Sequence, residues 1–208
     1  MVAAPPRCAW RDGRRRPSSH EALHVQLFSL LRGCGPFAHD KIQTMLRVLI
    51  VAYGNPMRCD DGLAWRAADA LEKRFSTPGV EILRVHQLAP ELAEDITRCD
   101  TVIFVDAASA ESGNGNPGEV RCLEVGLSEG PPRFTHQLSP GAVITLARQL
   151  YGASPRAFAV TLTGQCFDHG ESLSPVVAGA IPELVARIEA LVEAAVSSES
   201  LPPASSEA

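Results

Sequence analysis

The stretch Leu46-Arg47-Val48-Leu49-Ile50-Val51-Ala52-Tyr53-Gly54-Asn55-Pro56-Met57-Arg58-Cys59-Asp60-Asp61-Gly62-Leu63-Ala64 decides the architecture. Its first eight residues form an apolar run of strand length, rich in β-branched side chains. Gly54-Asn55-Pro56 closes that run as a turn. Beyond it, Leu63, Ala67, Leu71 and Phe75 recur every fourth residue, with Ala64 and Ala68 beside them, which is the spacing of one helix face. A buried strand followed at once by an amphipathic helix opens an α/β sheet.

The rest of the chain repeats the alternation. Val80–His86 reads as a second, more polar strand, and Pro90–Ile96 as a short helix. Thr101–Asp106 is another buried strand, with a carboxylate at its C-terminal end. A Gly/Asn/Pro-rich loop at Ser112–Gly118 precedes a weaker strand, Glu119–Val125. Ser139-Pro140 pairs an N-cap with proline at the first helical position, and opens a helix expected to turn Val143, Leu146 and Leu150 inward. Ala157–Leu162 is a further strand. Ser174-Pro175 repeats the cap signal before a last helix that runs to about Ala195, with a bend expected at Pro182. Strands alternating with helices predict a three-layer α/β fold, a mainly parallel sheet with helices on both faces. The Glu119 strand follows a loop instead of a helix and is expected to run antiparallel.

Composition bounds the function. The chain has 208 residues, and 45% hydrophobic content is enough for one core. No apolar run approaches the roughly 18 residues of a membrane span, so no membrane partner is expected. Residues 1–44 carry seven Lys/Arg against three Asp/Glu, whereas residues 45–208 carry twelve against twenty-one. An acidic globular part argues against nucleic acid as a partner, because phosphate binding needs a basic face. The six cysteines are scattered and make no C-x-x-C pair, so a structural zinc site is not indicated. Reduced thiols in a cytoplasmic protein are the plain reading. The folded domain is expected over residues 45–196, with Met45 as a candidate initiator. Residues 1–44 then form an unstructured or misassigned extension, and residues 197–208, rich in Ser, Pro and Glu, a disordered tail.

In α/β sheets functional groups gather at the C-terminal ends of the strands. Asp60 and Asp61 in the first loop, Asp106 at the end of TVIFVD, and His136 just before the Ser139 helix all fit that rule. Each has a plainer reading. Asp60 or Asp61 can cap the following helix, Asp106 can be a turn residue, and a single histidine is more often structural. Together, two carboxylates and an imidazole at one sheet edge make an oxygen, oxygen and nitrogen ligand set for a divalent transition metal with positions left open. The chain lacks a phosphate loop, a dinucleotide fingerprint, H-E-x-x-H and G-x-S-x-G. It also offers no obvious Ser or Cys nucleophile with a partner. His169 and Glu171 fit a loop that packs over the sheet end and are candidates for its rim.

These motifs resemble one family, the endopeptidases that mature the large subunit of [NiFe]-hydrogenases. The first loop matches its G-x-G-N-x-[LM]-x-x-D-[DE] signature as Ala52-Tyr53-Gly54-Asn55-Pro56-Met57-Arg58-Cys59-Asp60-Asp61. Val105-Asp106-Ala107, His136-Gln137-Leu138-Ser139-Pro140 and Phe167-Asp168-His169-Gly170-Glu171-Ser172-Leu173-Ser174 match its later segments in order. The resemblance covers about residues 45–195. It implies a twisted, mainly parallel five-stranded sheet. It implies that Asp61, Asp106 and His136 are the metal ligands. The same three are the expected catalytic groups, and water attack needs a base, for which Asp60 or a metal-binding carboxylate could serve. The implied substrate is a hydrogenase large-subunit precursor with nickel already inserted, from which a short C-terminal extension is removed. Nickel then belongs to the substrate, and no organic cofactor is implied. Ala52 departs from the family by replacing its first glycine, and Cys59 by standing where a small residue, often Gly, is usual. Cys59 is either a bystander or a soft extra ligand. A metal-binding chaperone without proteolysis, or a metallohydrolase of small molecules, are the alternatives on the same fold.

Overall fold

The computed structural model describes residues 46–75, 78–110, 115–128 and 138–197. All belong to the unit that runs from Ile42 to Ala208. The expected extension 1–44, residues 198–208 of the expected tail, and His136 lie outside the described residues.

Five strands, β1 (Leu46–Tyr53), β2 (Val80–Val85), β3 (Cys99–Ser109), β4 (Val120–Glu124) and β5 (Arg156–Gly164), form one sheet in the order β2-β1-β3-β5-β4. β2, β1, β3 and β5 pair in parallel. β4 pairs antiparallel with β5, from Val120 opposite Leu162 to Glu124 opposite Phe158. The expected orientation of the Glu119 strand is therefore the observed one. β3 is longer than the apolar run suggests, continuing past Asp106 to Ser109.

Among the described residues the helices are α1 (Leu63–Glu72), α2 (Leu92–Ile96), α3 (Pro140–Tyr151) and α4 (Pro175–Ser197). Side chains alternate across a strand, so β1 feeds two cores at once. Val48, Ile50 and Ala52 face one side, where Leu63, Ala67 and Leu71 of α1 and Val177, Leu184 and Ile188 of α4 cover them. Leu49 and Val51 face the other, against Leu92 and Ile96 of α2 and Val143, Leu146 and Ala147 of α3. A central strand buried on both faces must be apolar at every position, and residues 48–52 are. Among the described residues, no helix is long and apolar enough to cross a membrane.

Local chemistry sets the helix ends. Ser139 caps α3, its Oγ accepting from the Ala142 amide at 3.2 Å, and Gly152 closes it in the left-handed conformation. Burial on α3 stops at Ala147, so Leu150, expected inward, is 64% exposed in a last turn beyond the core. α4 runs through Pro182 as one helix. Proline there has no amide to donate to the carbonyl one turn back, and its position is exposed. Packing of Leu184, Val185 and Ile188 on the sheet holds the helix despite that loss. Pro182→Ala restores a helical bond without touching the core. Thermal or urea unfolding should show it stabilised by roughly 1–3 kcal/mol; a destabilised variant would show that the proline shape is required.

Candidate active site

β1 ends at Tyr53, and the chain turns sharply at Gly54 (φ 134°). A side chain at Gly54 would overlap the backbone carbonyl of Asp61, so only glycine fits. The loop then runs through Asn55 to a short 3-10 turn, Cys59–Gly62, that leads into α1. Neither acid of that turn caps α1, whose N-cap, Gly62, makes no side-chain bond. The helix-capping reading of the two aspartates fails on that point.

Asp60 is fully buried. Its carboxylate accepts from the amides of Gln165 (2.8 Å), Cys166 (2.9 Å) and Ser174 (2.7 Å), and from the Ser174 hydroxyl (2.8 Å). Burial pulls its pKa upward, yet these donors overcome it and hold the carboxyl below its ordinary value. The Asp60 amide also donates to the Cys166 carbonyl at 3.0 Å. Asp60 therefore joins the loop after β1 to the loop after β5 and to the start of α4. Asp60, expected as a possible base, is thus placed as a clasp between these segments. Ser174, read as the cap of α4, spends its hydroxyl on Asp60 instead.

Asp61, the next residue, points the other way. It accepts one bond, from the Asn55 amide at 2.9 Å, and lines a cavity of about 320 Å³. Asp106 of β3 lines the same cavity, with Tyr53, His86, Leu138 and Ser139 around it. The structure thus brings together two of the three expected ligands. Leu138, on the cavity wall, stands two positions beyond His136, which itself lies outside the described residues. Among the described residues, no group of three or more His, Cys, Asp and Glu side chains gathers around a common metal position.

Asp106 is the electrostatic centre of the cavity. Burial pushes its pKa up to about 7, against the opposing bonds from the Tyr53 hydroxyl and the Ala107 amide (2.8 Å), and the Asp61 charge adds to the rise. Burial, followed by the Asp106 charge and the shared hydrogen bond, raises Tyr53 well above the usual tyrosine range, so Tyr53 is a fixed donor. Tyr53 and His86 are site residues that the motif reading passes over. Both stand at the C-terminal end of a strand, which is the signal that marks them. The His86 ring packs on Trp65 of α1, with centroids 5.3 Å apart.

The remaining expectations fall outside the cavity. His169 Nδ1 lies 3.1 Å from the Met57 carbonyl, and the Glu171 carbonyl accepts from Arg66. Both belong to the loop that packs on Met57 and Arg66, and neither lines the cavity of Asp61 and Asp106. Ala52 points into the core beneath α1 and α4, so its methyl group does not narrow the site.

A mainly parallel α/β sheet with a carboxylate pair in a crevice at its C-terminal edge has the layout of an enzyme of this fold class. Comparison with known proteins makes it specific. No family model matches the chain. It is 31% identical over 153 residues to the hydrogenase 2 maturation protease of Escherichia coli K12, covering 71% of this chain and 87% of the relative. It superposes on the hydrogenase maturating endopeptidase HybD from E. coli with a TM-score of 0.56 and 26% identity, over 71% of this chain and 92% of that one. The fold also matches that of the [NiFe] hydrogenase maturation protease HycI from Thermococcus kodakarensis KOD1, with a TM-score of 0.58 at 23% identity over 71% and 93% of the two chains. The chain belongs to the hydrogenase maturation protease family and is a peptidase.

Two outcomes follow from the two acids. Asp60→Asn replaces an all-acceptor group with one whose amide faces N–H donors, and should lower stability by roughly 2–5 kcal/mol in denaturant melts; an unchanged midpoint would refute the clasp. Asp106 acts in the opposite sense. Its folded pKa near 7 lies above the ordinary 3.8, so between those values the unfolded chain releases a proton that the folded chain keeps. Stability should fall as pH rises from about 4 to 7, at about 1.4 kcal/mol per pKa unit. Asp106→Asn should flatten that slope in melts across the range, and a slope unchanged in the variant would contradict the burial argument.

Proposed function

We propose that this peptidase removes the C-terminal extension of a [NiFe]-hydrogenase large-subunit precursor after nickel is in place, and that Asp61, Asp106 and His136 meet the open coordination positions of the substrate's nickel. The observation that carries the proposal is the convergence of Asp61 and Asp106, distant in sequence, on one cavity at the sheet edge. The names of the relatives supply the substrate class. Carboxylate and imidazole donors suit a divalent first-row metal.

The cavity gives a physical reason for discrimination. A carboxyl that is costly to ionise when buried is stabilised as an anion by an incoming dication. A precursor without nickel brings no such charge and leaves the cost standing, so it docks poorly. With Asp60 fully engaged as a clasp, activation of the attacking water falls to one of the two cavity carboxylates. Ser139, also on the wall, has its hydroxyl committed to capping α3.

The test uses purified Asp61→Asn, Asp106→Asn and His136→Ala proteins with a nickel-loaded precursor, followed by intact mass spectrometry. Each variant should keep its circular dichroism spectrum and lose processing by about 100-fold or more, the scale on which enzymes depend on a positioned acid or base. Folded variants that cleave at the parent rate would remove those residues from the mechanism.

A further inference from the structure

A pair of free thiols, Cys59 and Cys166, lies on the far side of the Asp60 clasp. The neighbouring Cys166 thiol, burial and the charges of Asp60 and Asp168 hold the Cys59 thiol above its ordinary range, and the Cys166 thiol donates to Asp168 Oδ2 at 3.9 Å. The backbone fixes this meeting from three directions. The Cys59 amide donates to the Gly170 carbonyl at 2.6 Å. The Asp60 amide donates to the Cys166 carbonyl, and the Cys166 amide donates to the Asp60 carboxylate. Both thiols are partly exposed, and a cavity of about 530 Å³, lined by Arg58, Ser109, Cys166 and Asp168, opens beside Cys166. Cys59 also holds φ 44°, in the left-handed region where glycine would sit without strain. A small side chain in that place gives no thiol; this chain keeps one there and sets a second cysteine against it.

We propose that Cys59 and Cys166 are an oxidation site, a dithiol that a hydroperoxide converts into a disulfide linking the acidic loop after β1 to the loop after β5. The chemistry balances with hydrogen peroxide as the oxidant. The Cys166 sulfur attacks one peroxide oxygen and gives up its thiol proton. The O–O bond breaks, Cys166 becomes a sulfenic acid, and the departing hydroxide takes up a proton as water. The Cys59 sulfur then attacks Cys166 Sγ. The S–S bond forms, the S–O bond breaks, and hydroxide leaves with the Cys59 proton as a second water. Two thiols lose two electrons, and the peroxide gains them. Where glutathione keeps most thiols reduced, disulfides that do form are typically transient and responsive to oxidant.

The covalent link spans the same two segments that the Asp60 clasp holds, so it tightens the frame behind Asp61 without entering the cavity of Asp61 and Asp106. Cys99, buried in β3, and Cys122, in β4, have other surroundings and serve as internal controls. This inference does not rest on the identity of the peptidase substrate.

The test treats the full-length native protein with hydrogen peroxide, alkylates remaining thiols, and maps tryptic peptides by mass spectrometry. The expected product is one cross-linked species joining the Cys59 and Cys166 peptides, lighter by two hydrogens and released by dithiothreitol. It should be absent from Cys59→Ser and from Cys166→Ser, and the oxidised parent protein should melt several degrees higher than the reduced one. Cys59 and Cys166 alkylated separately after oxidation, a link from either to another cysteine, or a Tm unmoved by formation of the link would each overturn the proposal.

Discussion

Everything at the working edge of this peptidase depends on one buried carboxylate. Asp60 gathers four donors from residues that follow β5, and in doing so pins the loop after β1 to the loop after β5 and the start of α4 at the same edge of the sheet. Charge-assisted bonds are the strong ones, and a buried anion surrounded by donors gains only when every donor is in place. The adjacent residue benefits. With Asp60 fixed and Gly54 turned under the Asp61 carbonyl, the Asp61 side chain faces the cavity with a single backbone bond, from Asn55. Two neighbouring aspartates thus divide the work: one is consumed by architecture, and the other stays available to substrate.

Asp106 shows the complementary expense. A carboxyl pushed up to about 7 by burial weakens the fold at any pH where it must ionise, and nothing in the packing of β3 asks for it. Its neighbours limit the cost without removing it: the Tyr53 hydroxyl and the Ala107 amide both donate to it. Such a group is well matched to a partner that arrives bearing positive charge. Stability given up at a strand end is a familiar signature of a functional site.

Much of this was legible in the sequence because the physics behind it is local. An apolar run at every position of residues 48–52 can only be a strand covered on both faces, and the Ser139-Pro140 signal is a cap whose donor lies three residues away. The site was legible where strand ends carry carboxylates, as at Asp106. The fate of Asp60 was not, because its donors come from residues 165, 166 and 174 and reach it only once β5 and α4 have docked. Apart from the family motif, Asp60 and Asp61 read as interchangeable acids before a helix. Tyr53 escaped notice as a variable position of the motif, and His86 because the polar character of β2 hid the strand-end rule. The thiol pair was equally hidden, since nothing local relates Cys59 to Cys166. Leu150 failed for a different reason: helical periodicity gives the face but not where the sheet beneath it ends.

The measurement that bears most directly on the role of the cavity is a comparison of two substrates with one enzyme. The purified protein is incubated with a hydrogenase large-subunit precursor from the same cell, nickel-loaded in one tube and nickel-free in the other, and both are weighed by intact mass spectrometry. Recognition of the metal by Asp61 and Asp106 predicts loss of a C-terminal fragment from the nickel-loaded precursor alone. Equal cleavage of both would contradict it, and would leave the carboxylates with a role in peptide chemistry that owes nothing to nickel.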